Sequence, residues 1–209
     1  MSSVAAWGYE FPRDLPDEDA PVRQTGARYV DTKAASDALA LRRGAAVVRP
    51  GDVYGPRSEP WIARPLRALR ARRFVLPGRG DGVMTPIFID DLVACLLRAL
   101  THPGAAGRAF TAHDGRPLPA RDFFAHHARW LGRRRVPMAP APLVRAGAAI
   151  GGRLRPGGEV TPEALVYVSR RAAYPADRAR AVLGWAPRVE LADGMERSRA
   201  WAQAEGLLG

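Results

Sequence analysis

Tyr29 and Lys33 stand four residues apart in residues 27–43, a stretch of good helix formers without Pro or Gly. A helix brings such a pair to one face. A free phenol, with a pKa near 10, is a poor proton donor or acceptor at neutral pH. A neighbouring ammonium stabilises the phenolate and lowers that pKa. A shift of roughly three units takes about 4 kcal/mol of differential interaction. So tuned, Tyr29 could pass a proton to a carbonyl oxygen as hydride reaches the carbon, or run the reverse. Ser3 could hydrogen-bond the same oxygen and hold it. Of 32 basic residues, Lys33 is the only lysine. Arginine serves every other basic position, so this site calls for something a planar guanidinium does not supply.

These residues need elements to position them. Ser2 to Trp7 reads as the end of a strand. Residues 9–26 are polar and Pro-rich and read as a surface loop. Helix 27–43 follows, stopped by Gly44. Residues 45–48 form a continuous apolar run, the pattern of a strand buried in a parallel sheet. Pro50, Gly51, Gly55 and Pro56 stop it. Further on, the pattern predicts a helix over 61–72 and short strands over 74–76 and 86–89. Asp90 is read as the cap of a helix over 91–100, ahead of a strand over 110–112 and a helix over 119–131. Residues 136–158 are rich in Pro, Gly, Ala and Arg, with a helix through 141–150. Thr161-Pro162 opens another helix, and helices over 176–183 and 191–205 close the chain.

Composition narrows the function classes. Nearly half the residues are apolar and a quarter charged, as in a globular protein. The net charge is +11, yet the basic runs are short and carry little aromatic interleaving, so no nucleic-acid partner is expected. No apolar stretch approaches the roughly 20 residues of a membrane span. Cys95 is the only cysteine; it lies in an apolar run and reads as a small core residue, consistent with a cytoplasmic setting. His126 and His127 are adjacent and point to different sides of a helix, so no metal is expected. The glycines of residues 78–82 follow a proline and lead into a strand, so they are not a phosphate-cradling turn.

A set of ordered motifs resembles one family. They are Ser2-Ser3-Val4-Ala5-Ala6-Trp7-Gly8, Tyr29-Val30-Asp31-Thr32-Lys33 and Arg49-Pro50-Gly51-Asp52-Val53-Tyr54-Gly55-Pro56. Ile87-Phe88-Ile89-Asp90-Asp91-Leu92, Leu183-Gly184-Trp185-Ala186-Pro187 and Asp193-Gly194-Met195 continue the likeness to the end. Together they resemble the extended short-chain dehydrogenase/reductase family, nearest to its NAD-dependent epimerase/dehydratase and 3-beta-hydroxysteroid dehydrogenase-like members. The resemblance implies Ser3, Tyr29 and Lys33 as catalytic residues, with Ser2 the lesser choice for the serine. It implies that Tyr29 and Lys33 contact an NAD or NADP cofactor and that Pro50, Gly51 and Val53 pack beside its nicotinamide. Asp52, Arg57 and Trp61 fall where the family lines its substrate pocket, with surface or packing roles as the alternative.

The implied fold is α/β: an incomplete Rossmann-like remnant of a doubly wound parallel sheet, with a mostly helical C-terminal substrate lobe. Residues 1–60 are expected to hold the end of the cofactor-binding domain and its catalytic helix. Residues 61–209 are expected to form the lobe, with core elements returning near 86–112. The implied activity is NAD(P)-dependent oxidoreduction of a secondary alcohol or ketone, on a small hydroxysteroid- or dihydroflavonol-like molecule. A nucleotide-sugar epimerase/dehydratase and a non-catalytic remnant are the alternatives. A homodimer is possible. Members of the family begin with a strand, a Gly-rich turn and a helix that cradle the pyrophosphate, and nothing of that kind precedes Ser2. The chain alone is therefore expected to be inactive, and DNA upstream of Met1 is expected to encode about a hundred residues of that pattern.

Overall fold

The computed structural model describes residues 1–9, 17–154, 162–171 and 173–209. The helices are α1 (Arg28–Arg42), α2 (Arg64–Arg70), α3 (Ile89–Thr101), α4 (Ala120–Trp130), α5 (Ala141–Leu154), α6 (Pro162–Val168), α7 (Asp177–Leu183) and α8 (Leu191–Ala204). The strands are β1 (Val47–Pro50), β2 (Asp52–Tyr54), β3 (Leu76–Pro77), β4 (Val83–Met84), β5 (Pro86–Phe88), β6 (Ala109–Ala112), β7 (Leu118–Pro119) and β8 (Met138–Ala139). The α/β class read from the sequence is the one observed. The chain divides into two compact units. The first is Met1–Val53, Thr85–Pro117 and Ala172–Leu191; the second is Tyr54–Met84, Leu118–Arg171 and Ala192–Gly209.

In the first unit β1 and β6 pair in parallel, Val47 opposite Ala109 and Pro50 opposite Ala112. Both strands are buried throughout, which is why the sequence runs apolar there instead of alternating. A core of Val48, Ile87, Leu92, Cys95, Phe110, Leu183 and Trp185 joins this pair to α3 and α7. Burial pushes the Cys95 thiol up to about 12, so it packs as a small apolar residue. A second cluster gathers Val4, Trp7, Ala20 and Tyr174.

Helix α1 is bounded by local chemistry. The Asp31 carboxylate in its first turn reaches back to accept the Thr25 N–H at 2.7 Å and that of Gly26. This satisfies donors just ahead of the helix. At the other end Gly44 adopts φ 74°. The N–H of Ala45 reaches the Ala40 carbonyl at 3.0 Å and that of Gly44 reaches Leu41 at 2.9 Å, the paired bonds of a Schellman stop. Val30, Ala34 and Asp37 form its buried line.

In the second unit β3 and β8 pair in parallel, Leu76 opposite Met138, and β4 and β7 pair antiparallel. Helices α2 and α4 pack on one another, around Leu66, Leu69, Phe123 and Phe124. Gly82 allows close approach here: a Cβ would collide with the Val168 carbonyl.

Three local readings change. Val4–Trp7 is a 3₁₀ turn, not a strand end; Ser3 caps it, and the Ser2 N–H reaches across to β1, at the Val48 carbonyl. Asp90 lies in the first turn of α3 and Phe88 occupies the cap, because the apolar strand runs directly into the helix. Residues 61–72 divide into a π-type turn, Glu59–Ala63, and α2. The cap expected at Thr161 lies outside the described residues, as do residues 10–16 of the expected loop.

Candidate active site

Ser3 is held by a turn that begins on its own hydroxyl. Its backbone is extended (φ −162°), and its Oγ accepts the Ala5 N–H at 3.1 Å. The hydroxyl hydrogen is left for a further acceptor. Gly8 closes the turn at φ 90° and donates to the Ala5 carbonyl. Trp7 is fully buried; its indole N–H donates to the Ala20 carbonyl at 2.8 Å and its ring stacks on Tyr174. Ser2 is also buried, and its Oγ has no partner among the described residues.

Tyr29 and Lys33 lie one turn apart on α1, beside its buried line. Tyr29 is 55% exposed, and the Lys33 Nζ sits 5.7 Å from the centre of its ring. This is cation–π range. The phenol and the ammonium thus form one open donor set. Such a set matches the hydroxyls of a cofactor ribose and the oxygen of a reacting carbonyl.

The helix carrying that pair is tied down one turn later. The Asp37 carboxylate takes two bonds from Arg49, Nε at 2.8 Å and Nη2 at 2.7 Å. Arg49 is 2% exposed. Its third nitrogen donates to the Glu18 carbonyl at 2.7 Å, and its guanidinium lies 4.4 Å from the Trp7 ring. One arginine therefore touches α1, the Ser3-bearing turn and the loop between them, from a strand that leads into Pro50-Gly51. Sequence reasoning missed this pair. The available signal was an arginine inside an otherwise apolar strand, with an acid four residues after Lys33.

Pro50 ends β1, and the Gly51 N–H bonds the Ala112 carbonyl at 2.9 Å. A Cβ on Gly51 would overlap the Thr85 carbonyl oxygen and meet the His113 Cβ at 3.3 Å. Packing inside the first unit therefore demands glycine here. Asp52 is fully buried, and its Oδ2 accepts the Thr85 N–H at 2.6 Å. Val53 is half-buried and packs on the first core. His113 beside them is buried. Its Nδ1 accepts the Gly115 N–H at 2.9 Å, so its Nε2 carries the hydrogen donated to the Tyr174 carbonyl, also at 2.9 Å. The half-buried Asp114 carboxyl is pushed up to about 6 by burial.

Arg57 and Trp61 belong to the second unit. Arg57 is exposed, in a turn where the Ser58 N–H bonds the Gly55 carbonyl, with φ 65°. That left-handed backbone costs a non-glycine residue roughly 1–2 kcal/mol. Trp61 is half-buried in an aromatic group with Tyr167, Phe123 and Phe124, ring centres 5.5–6.5 Å away. The Arg170 guanidinium stacks 3.9 Å over Tyr167. The Trp61 carbonyl accepts the Nε2–H of His127 at 2.8 Å. Burial drives His127 down to about 4. The structure thus groups Ser3, Tyr29, Lys33, Pro50, Gly51, Asp52 and Val53 in one unit, and Arg57 and Trp61 in the other.

Residues 78–82 lead into β4, as expected, and not into a helix. Among the described residues no helix is long and apolar enough to cross a membrane.

Comparison with known proteins gives a consistent picture. Residues 1–112 match the family model described as "NAD dependent epimerase/dehydratase family". A 3-diazoavenalumate denitrifying reductase from a Streptomyces species is 33% identical over 188 residues, covering 82% of this chain and 54% of the relative. A UDP-glucose 4-epimerase from Mycolicibacterium smegmatis is 30% identical over 158 residues, covering 72% of this chain and 43% of the relative. The chain thus spans about half the length of these relatives. A Bacillus cereus UDP-glucuronic acid 4-epimerase, crystallised with UDP-glucuronic acid and NAD, shares the fold. Its TM-score is 0.70 at 16% identity, over 98% of this chain and 60% of that one.

Proposed function

The chain belongs to the NAD dependent epimerase/dehydratase family, and on that premise we propose that it carries the acid–base machinery of an NAD(P)-dependent oxidoreductase acting on a secondary alcohol or ketone. One observation carries this reading: the Tyr29 phenol and Lys33 ammonium share one open face of α1, and α1 packs on the turn that holds Ser3. In this reading Ser3 donates its free hydroxyl hydrogen to the substrate oxygen and fixes it. Tyr29 delivers or removes the proton on that oxygen. Lys33 stabilises the phenolate and binds the ribose hydroxyls, with Pro50, Gly51 and Val53 beside the nicotinamide. The nicotinamide, when bound, supplies or accepts the hydride. The activity is that of a protein of the relatives' full length; residues 1–209 alone bind the dinucleotide weakly and do not turn over.

For the substrate we propose a bulky small molecule, a hydroxysteroid- or dihydroflavonol-like secondary alcohol or ketone. The half-exposed ring of Trp61 and its neighbour Tyr167 offer flat apolar contacts within the second unit, where Arg57 is also exposed. A relative named as a reductase supports the same direction. The second reading is a nucleotide-sugar epimerase, favoured by the M. smegmatis relative. Hydride transfer decides between them. Turnover of an aryl or alicyclic ketone with NAD(P)H supports the first. Epimerisation of a UDP-sugar with no net change in NADH overturns it. Self-association, a further part of the proposal, is read from light scattering on a sizing column.

A further inference from the structure

The charge of this chain is segregated. The first unit's sequence holds 13 basic and 13 acidic residues, the second unit's 19 and 8, so the whole net charge of +11 belongs to the second. Within the second unit, residues 60–80 and 123–158 contain no acid at all. The fold brings those two segments together. Helices α2 and α4 pack on each other and lead into β3 and β8, which pair in parallel with Leu76 opposite Met138. Arg73 and Arg135 each stand three residues before that matched pair, and Arg72 and Arg134 each four before it. All four are exposed, and among the described residues none has an acidic partner. Arg72 holds a left-handed backbone, φ 56°, where glycine would be easier.

The second unit also exposes apolar side chains. Among the described residues of the second unit, the exposed large hydrophobic residues are Met138 and Leu143, at 45% and 67%. They lie three and eight residues after Arg135 in the chain. Phosphodiester backbone would use the guanidiniums but leave Leu143 and Met138 in water, and no exposed aromatic ring stands among them for base stacking. An anionic bilayer uses both: arginines meet headgroup phosphates, and short apolar side chains enter the acyl boundary.

We propose that this face of the second unit docks on an anionic lipid surface, with Arg72, Arg73, Arg134 and Arg135 at the headgroups and Met138 and Leu143 inserted. This proposal stands independently of the catalytic reading. The test is sedimentation of residues 1–209 with phosphatidylcholine vesicles, and with vesicles of about 2:1 phosphatidylcholine to phosphatidylglycerol. Binding is expected only to the second, and is lost near 1 M salt, where screening shrinks to about 3 Å. Arg72→Gly should weaken partitioning about fivefold while keeping or raising the melting temperature, because it relieves the left-handed backbone. Combining it with Arg73→Ser, Arg134→Ser and Arg135→Ser should weaken partitioning on the order of a hundredfold or more. Leu143→Ser should weaken it about fivefold, and Arg42→Ser with Arg43→Ser, in the first unit, should leave it unchanged. The proposal is overturned by no binding, by equal binding to pure phosphatidylcholine, or by partitioning indifferent to the arginines. A DNA duplex bound more tightly than the vesicles, with no effect of Leu143→Ser, would assign the surface to nucleic acid instead.

Discussion

The Asp37 carboxylate and the Arg49 guanidinium meet in a buried two-pronged pair, at 2.7 and 2.8 Å. The pair links α1, the helix of Tyr29 and Lys33, to β1, four residues past Lys33 on one side and next to Pro50 on the other. Breaking a buried pair leaves one charge uncompensated, which costs about 3–5 kcal/mol. Asp37→Ala and Arg49→Ala should each lower stability by that amount in urea unfolding. The double variant should fall short of the sum by about 0.5–3 kcal/mol. Strict additivity would show that the pair does not act as a unit.

Gly51 and Gly82 test close packing in the two units separately. A methyl on either collides with a backbone carbonyl, Thr85 in the first and Val168 in the second. Gly51→Ala and Gly82→Ala should each cost roughly 1–3 kcal/mol, as overpacking does. The Gly51→Ala loss should be the same with and without added NAD(H). A stability loss seen only in the presence of the dinucleotide would assign Gly51 to the cofactor rather than to packing.

Acid should act on two groups with opposite sign. His127 has a folded pKa of about 4 against an ordinary 6.5. The unfolded state therefore binds the proton first, and stability present above about 6.5 is lost as pH falls toward 4. Asp114 has a folded pKa of about 6 against 3.8. The folded state binds that proton first, so this contribution is present below about 4 and lost as pH rises through 6. His127→Gln should flatten the acid loss of stability. Asp114→Asn should gain more over the native chain at about pH 7 than at about pH 5. Urea midpoints across that range, with matched slopes, decide both.

Much of the first unit was legible in the sequence, because its signals are local. Helix α1 runs from an acid-backed start to Gly44, β1 is a continuous buried apolar run, and α3 alternates a core face of Leu92, Cys95 and Ala99 with an open one. The 3₁₀ turn at Val4–Trp7 was not legible, since an apolar tetrapeptide fits a buried turn as well as a strand. Nor was the Arg49 network, whose partners lie 12 and 31 residues away. Strand β2 escaped notice because Gly51 and Gly55 flank it; its pairing rests on the Asp52 N–H reaching the Thr85 carbonyl, far along the chain. Tyr29 and Lys33 were singled out by their four-residue spacing, and Ser3 by the family resemblance. Tyr167 and Arg170 were missed because Tyr167 meets Trp61, and Arg170 stacks on Tyr167, only through tertiary packing.

The dinucleotide offers a direct check on competence. The glycines of residues 78–82 lead into β4, and a pyrophosphate needs backbone N–H groups at a helix start. Calorimetry of residues 1–209 with NADH should give binding only near the millimolar range, about 4 kcal/mol. Micromolar binding would show that this chain holds the cofactor by itself.

The central claim is that Tyr29 and Lys33 act as an acid–base pair, and one measurement reaches it most directly. It is steady-state hydride transfer at saturating cofactor, in the protein extended to its relatives' length, with folding checked by circular dichroism. Tyr29→Phe removes the transferred proton and should abolish turnover. Lys33→Arg keeps the charge but replaces a compact, rotatable ammonium with a wider planar fork. A displacement of about 1 Å suffices for roughly a hundredfold loss, so Lys33→Arg should fall at least that far. Ser3→Ala should be milder, since it removes one positioning bond. Near-normal turnover in Lys33→Arg, with Tyr29→Phe equally active, would contradict the account and leave both residues as surface features of α1.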